Sequence, residues 1–122
     1  MTTPRRLLIL DDDAMVGLLV GTVARTVGFE TRLSERPADF FALLQSWQPT
    51  HIVLDLTLPE MSGEQVIAEL ARLGCRARLV LSSGVDAQRL ADSVAAARAA
   101  GLDLAPPLPK PFRAELLRQC LA

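Results

Sequence analysis

Three aspartates stand side by side in RLLILDDDAMV, residues 6–16, directly after an apolar run. At neutral pH Asp11, Asp12 and Asp13 repel one another, and nothing in a water-soluble fold requires that arrangement. A fourth acid, Asp55, interrupts the apolar run HIVLDL near its end. Ser82, Ser83 and Gly84 follow the apolar stretch Leu79–Leu81, and Lys110 follows a proline-rich run. Carboxylates sharing one pocket cannot all stay ionised and unpaired, because like charges raise their pKa values and disfavour folding. A hard divalent cation resolves the conflict. Mg2+ takes oxygen ligands, keeps some water, and is often bound by one or two carboxylates plus phosphate oxygens. Lys110 adds a point positive charge suited to a phosphate oxygen, and Ser83 adds a hydroxyl donor. A cation, a lysine and a hydroxyl around a lone carboxylate neutralise and align a phosphoryl group in transfer. Asp55 is then the natural nucleophile, forming an aspartyl phosphate.

These groups can meet only if the chain brings them to one rim. Strand-like and helix-like segments alternate from end to end. Leu7–Leu10 is a continuous apolar run, as a strand buried on both faces should be. Residues 14–27 carry helical spacing in Val16, Leu19, Val20, Val23 and Val27, and Gly28 stops them. The spacing then predicts a strand over 29–33, a helix over 37–47, a strand over 51–56 and a helix over 64–73 closed by Gly74. A strand over 79–81, a helix over 86–100 closed by Gly101, a weak strand over 102–108 and a helix over 113–121 complete the chain. Five β/α repeats with apolar strands imply a doubly wound α/β fold: a five-stranded parallel sheet covered on both faces, with right-handed crossovers. In such sheets, sites form at the carboxyl ends of the strands where the winding reverses. Asp11–Asp13, Asp55, Ser82–Ser83 and Lys110 all fall at those ends. Pro106, Pro107 and Pro109 crowd the last strand, which should therefore be an edge.

The 122 residues make one domain, half of them hydrophobic, with a net charge of −1 and a pI near 5.8. No global basic field exists to attract nucleic acid or an anionic membrane. No apolar run approaches the roughly 20 residues of a membrane span, and the expectation is a cytoplasmic protein. Cys75 and Cys120 form no CxxC pair and no metal spacing, so both are read as reduced thiols.

The ordered set LLILDDD, HIVLDLTLPEMSG, LVLSSG and LPKPF resembles the receiver domain of two-component response regulators over essentially the whole chain. The resemblance implies the flavodoxin-like, CheY-like fold with strand order 2-1-3-4-5. It implies an acidic pair at Asp11 and Asp12, a phosphoacceptor at Asp55, a hydroxyl residue at Ser83 with Ser82 its rival by one register, and a lysine at Lys110 with a cis bond to Pro111. Metal ligands would be Asp12, Asp55 and the backbone carbonyl of Thr57, with Asp11 beside them, and the ion Mg2+. Pro59 and Gly63 resemble the loop after the acceptor, where proline fixes one backbone angle and glycine permits a positive one. The partners implied are a histidine kinase or phosphotransfer protein and an output domain or protein. Phosphorylation-dependent homodimerisation is left open.

Departures from the family accompany the match. The family often carries an aromatic residue three positions before the lysine, where this chain has Pro107, so switching by aromatic rotation is not expected. The stretch from Ser83 to Lys110 is about a turn longer than usual, and residues 83–104 are similar to receivers attached to cyclic-di-GMP phosphodiesterase domains. Two other functions compete. LDDDAMV can be read as the DxD motif of a haloacid-dehalogenase-type phosphatase, with Asp11 as nucleophile and Asp13 as acid, though no acidic pair follows Lys110 and no cap domain fits the length. A degenerate receiver serving only as a docking module is the other. Asp13 is expected to cap the first helix, His51 to be a strand-start surface residue, and Trp47 to pack over the end of the second helix.

Overall fold

Apolar strands alternate their side chains between two cores. The computed structural model describes residues 4–84 and 86–122. Strands β1 (Arg6–Leu10), β2 (Glu30–Ser34), β3 (His51–Asp55) and β4 (Arg78–Ser83) are joined by helices α1 (Ala14–Thr26), α2 (Pro37–Trp47) and α3 (Gly63–Arg72). Then come α4 (Ala87–Ala99), two short strands β5 (Asp103–Leu104) and β6 (Leu108–Pro109), and α5 (Ala114–Leu121). Every pairing is parallel and the order is β2-β1-β3-β4-β5, with β6 also on β4. This is the doubly wound, flavodoxin-like sheet expected from the alternation.

Leu8, Leu10, Ile52, Leu54, Leu79 and Leu81 face α2, α3 and α4, where they meet Phe40, Val66, Leu70 and Leu90. Leu7, Ile9, Val53 and Val80 face α1 and α5, against Val20, Val23, Leu117 and Leu121. A strand buried on both faces needs no polar alternation, which is why the runs read as uniformly apolar. The helix-stop glycines Gly28, Gly74 and Gly101 all hold positive φ, the conformation a helix-ending carbonyl cap needs.

The last strand differs from its expectation. It is two separate two-residue pieces rather than one run over 102–108, and it does lie at the edge beside β4. Leu79 pairs with Leu104, but Ser82 pairs with Leu108, so three steps on β4 face four on the edge. The extra residue sits around Pro106 and Pro107, which have no N–H to offer the ladder. Strand β4 is longer than the apolar Leu79–Leu81, because Ser82 and Ser83 still pair, with Asp55, Leu108 and Pro109. His51 opens β3 but is half-buried: its ring meets Phe29 edge-on at 4.8 Å and its Nδ1 lies 2.9 Å from Thr50 Oγ1. Trp47 ends α2 as expected, packed on the core with the Arg6 and Arg32 guanidinium groups over its ring.

Candidate functional site

Period-two alternation carries Asp11 beyond Ile9 and Asp55 beyond Val53 onto the α1–α5 side of the sheet, at its carboxyl rim. Oxygen atoms of Asp11, Asp12 and Asp55 lie within 4.8 Å of one another. Asp11 and Asp55 are buried, at 2% and 5% exposure, while Asp12 faces solvent. Lys110 reaches the same point from the turn after β6: its Nζ lies 2.8 Å from Asp11 Oδ2 and 3.4 Å from Asp55 Oδ2. The Lys110–Pro111 peptide is cis, as the family resemblance implied.

Burial pushes the Asp55 carboxyl up from its ordinary value; the Thr57 N–H at 3.1 Å and the Lys110 charge pull the other way without cancelling it, and the Asp11 charge adds to the rise. Burial also works against the Lys110 ammonium, yet the carboxylates of Asp11 and Asp55 outweigh that and hold it above its ordinary value. The asymmetry has a simple origin. Two carboxylates, Asp11 and Asp55, share one ammonium here, so Lys110 is compensated twice while Asp55 has only part of one positive charge.

Asp13 stays apart from this chemistry. Its side chain caps α1, accepting from Met15 N at 3.0 Å and Val16 N at 3.4 Å. A phosphatase using Asp13 as its acid would have to give up that cap. The two candidate serines also separate. Ser82 Oγ donates its one proton to the Leu108 carbonyl at 2.8 Å, bracing the edge strand, while Ser83 lies one residue nearer the rim, its own carbonyl receiving Lys110 N at 2.9 Å.

Gly63 requires a correction. Its φ is not among the positive ones, so glycine is needed there for a different reason. A Cβ on Gly63 would stand 2.5 Å from Leu56 Cα, inside any permitted contact. The absent side chain lets α3 start against the turn that follows Asp55, with Ser62 and Gln65 forming a reciprocal capping box.

A family model for the response regulator receiver domain matches residues 7–122. The chain belongs to the response regulator receiver family. It is 26% identical over 117 residues to the chemotaxis protein CheY of Bacillus subtilis, covering 95% of this chain and 93% of that one. It is 30% identical over 99 residues to the photosynthetic apparatus regulatory protein RegA of Rhodobacter capsulatus, but spans only 53% of RegA's length. A response regulator from Colwellia psychrerythraea has the same fold, with a TM-score of 0.83 and 32% identity over 98% of this chain and 94% of that one.

A receiver of this family is a two-component signalling domain, and its acidic pocket is where such domains bind Mg2+. The residues present fit that ion. All three acids offer hard oxygen donors, two of them are buried, and one ammonium leaves two negative charges uncompensated. No helix among the described residues is long and apolar enough to cross a membrane.

Two further side chains stand beside the site that the sequence reading did not single out. Arg89, in the first turn of α4, donates to the Leu56 carbonyl at 2.8 Å and to both oxygens of Glu64 at 2.8 and 2.7 Å. One signal was present in the sequence: a cation in the first turn of a helix opposes the helix dipole and needs an external reason.

Proposed function

We propose that this receiver takes a phosphoryl group onto Asp55 from the phosphohistidine of a histidine kinase or phosphotransfer protein. The P–N bond of the donor breaks, its electron pair leaving with the imidazole nitrogen, and an Asp55 carboxylate oxygen forms the new bond to phosphorus. The observation that carries this reading is the convergence of Asp11, Asp12 and Asp55 within 4.8 Å, with Lys110 bonded to Asp11 and 3.4 Å from Asp55.

Each group has a part. Asp12, Asp55 and the Thr57 carbonyl would hold Mg2+, with Asp11 shaping the pocket; the ion when bound supplies charge neutralisation at the phosphoryl oxygens. Lys110 adds the second positive charge and is already held in place by Asp11. The Thr57 N–H is aimed at the acceptor carboxylate, and Ser83, the hydroxyl residue that the family resemblance implies, is the candidate for a phosphoryl oxygen. A pocket too negative and too dry for a bare carboxylate favours a cation and a phosphoryl group arriving together. The working compartment of such a relay is the cytoplasm. On the output side, the similarity of residues 83–104 to receivers joined to cyclic-di-GMP phosphodiesterase domains supports that class of partner.

The test is direct. Incubation with acetyl phosphate and Mg2+ should add one phosphoryl group by intact mass, and Asp55→Ala should abolish it. Labelling that survives the substitution removes the reading. Failure of the protein to bind Mg2+ or beryllofluoride would instead favour a docking module without phosphoryl chemistry. Turnover of a phosphomonoester that depends on Asp11 would favour the phosphatase.

A further inference from the structure

The peptide unit between Leu56 and Thr57 is gripped at both ends. Its carbonyl oxygen accepts from Gly63 N at 3.0 Å and from Arg89 Nη2 at 2.8 Å. Its N–H donates to Asp55 Oδ1 at 3.1 Å. A peptide group is one rigid plane and one dipole. Donors fixed on the oxygen end therefore set the direction of the N–H end, and a charged donor polarises it further.

Arg89 comes from a different part of the fold. It is in the first turn of α4, more than thirty residues along the chain from Leu56. The same Nη2 also reaches Glu64 Oε1 at 2.7 Å, while Nε reaches Glu64 Oε2 at 2.8 Å, a two-pronged contact with the first turn of α3. The local sequence of α4 gives no reason for an arginine there. The first turn of α4 has no acidic residue, and the dipole disfavours a cation at that end. The partners that justify it are Glu64 and the Leu56 carbonyl. Three elements, the turn after the acceptor, α3 and α4, thus meet on one guanidinium.

We propose that Arg89 is a positioning residue for phosphoryl chemistry at Asp55, acting through the Leu56–Thr57 peptide, and that the same guanidinium transmits the state of the acceptor to α4. The inference rests on Asp55 being the acceptor. Phosphorylation replaces a carboxylate by a bulkier, more negative group, and the Thr57 N–H has to follow its new acceptor atom. Because the plane is rigid, the Leu56 carbonyl tilts with it, and the bond from Arg89 must stretch or break. α4 is then released from, or redrawn against, α3. Coupling of this kind is reciprocal, so the placement of α4 also sets how readily Asp55 takes and keeps phosphate. The route needs no aromatic rotor, which this chain lacks at Pro107.

The experiment uses the full chain as wild type, Arg89→Ala and Arg89→Lys. Acetyl phosphate with Mg2+ gives the labelling rate by intact mass. Beryllofluoride with Mg2+ gives the amide NMR shifts of Thr57 and of α4. Wild type should label Asp55 and show shifts in both places. Arg89→Ala should label the same residue about tenfold more slowly, with the Thr57 amide displaced before any ligand is added and the α4 amides nearly unresponsive to beryllofluoride. Arg89→Lys keeps the charge and one donor, and should recover part of the α4 response. Wild-type rates and wild-type α4 shifts in both variants would overturn the assignment of Arg89 while leaving the acceptor role intact. Absence of label on wild-type Asp55 would overturn both.

Discussion

Asp55 is at 5% exposure and carries a carboxyl that burial pushes up, against the opposing pull of Thr57 and Lys110. Between the ordinary value of 3.8 and the raised folded value, the unfolded chain has lost its proton and the folded chain still holds it. Stability therefore falls as pH rises through that window, and above it the full penalty of a buried, under-compensated charge is present. Removing the charge at neutral pH should strengthen the metal-free fold. Asp55→Asn is expected to raise the melting temperature at pH 7 in EDTA by about 4 °C. The gap between variant and wild type should narrow as the pH falls through the raised folded value toward the ordinary one, as wild-type Asp55 takes up its proton, and added Mg2+ should stabilise the wild type alone. Thermal melts followed by circular dichroism at several pH values check this, and a variant that melts below wild type at pH 7 would contradict it. Asp55 was legible in the sequence because an ionisable residue inside an apolar run demands a partner. The bond from the Ser82 hydroxyl to the Leu108 carbonyl was not, since it is a fact of register between distant strands. Arg89 was missed for the same reason: its partners are 25 and 33 residues away.

The turn between β3 and α3 shows how an element is built to serve one residue. Gly63 starts α3, donates its N–H to the Leu56 carbonyl at 3.0 Å, and leaves no room for a side chain. In Gly63→Ala the new Cβ would stand 2.5 Å from a backbone carbon, which cannot rotate away. The turn or the helix start has to move, at a cost of about 3 kcal/mol. Urea denaturation should show a lower midpoint with an unchanged slope, and labelling of Asp55 should slow because the Leu56–Thr57 peptide shifts. The comparison is Gly84, where a Cβ would meet Lys110 Cβ at an ordinary 3.4 Å. Gly84→Ala should stay within about 0.5 kcal/mol of wild type, and an equal loss in both would show that close approach is not what selects glycine at 63. Sequence patterning placed β1, β3 and the helix ends well, because uniform apolar runs and helix-stop glycines each have a single physical cause. It misread Gly63 as a positive-φ position, since sequence does not distinguish a glycine kept for its backbone angle from one kept for its missing Cβ. It also drew one strand through Pro106 and Pro107. The prolines marked the edge correctly, but the extra residue they accommodate is visible only once β4 supplies a register.

Burying both faces of the sheet leaves little apolar surface for solvent, so what remains exposed is informative. Met15, Leu18 and Leu19 on α1 are 74%, 57% and 50% exposed. Val16 and Leu19 also line a cavity of about 300 Å³ with Gly84, Lys110, Pro111 and Phe112. The apolar strip thus runs up to the lysine that stands 3.4 Å from Asp55. A net charge of −1 adds no strong net field to gather a donor protein, and the apolar strip offers a contact surface beside the acceptor. A donor helix laid on this strip would bring a phosphohistidine over the carboxylate rim. The consequence separates protein donors from small ones. Met15→Asp combined with Leu18→Asp should slow phosphoryl transfer from phosphorylated histidine-phosphotransfer domains by about a hundredfold, the loss of two apolar anchors at roughly 1–2 kcal/mol each. Labelling by acetyl phosphate, which needs only the site itself, should stay within about twofold of wild type because neither substitution touches the carboxylates or Lys110. Equal slowing with both donors would mean that the substitutions damage the site, and unchanged transfer from every protein donor tried would place the docking surface elsewhere on the molecule.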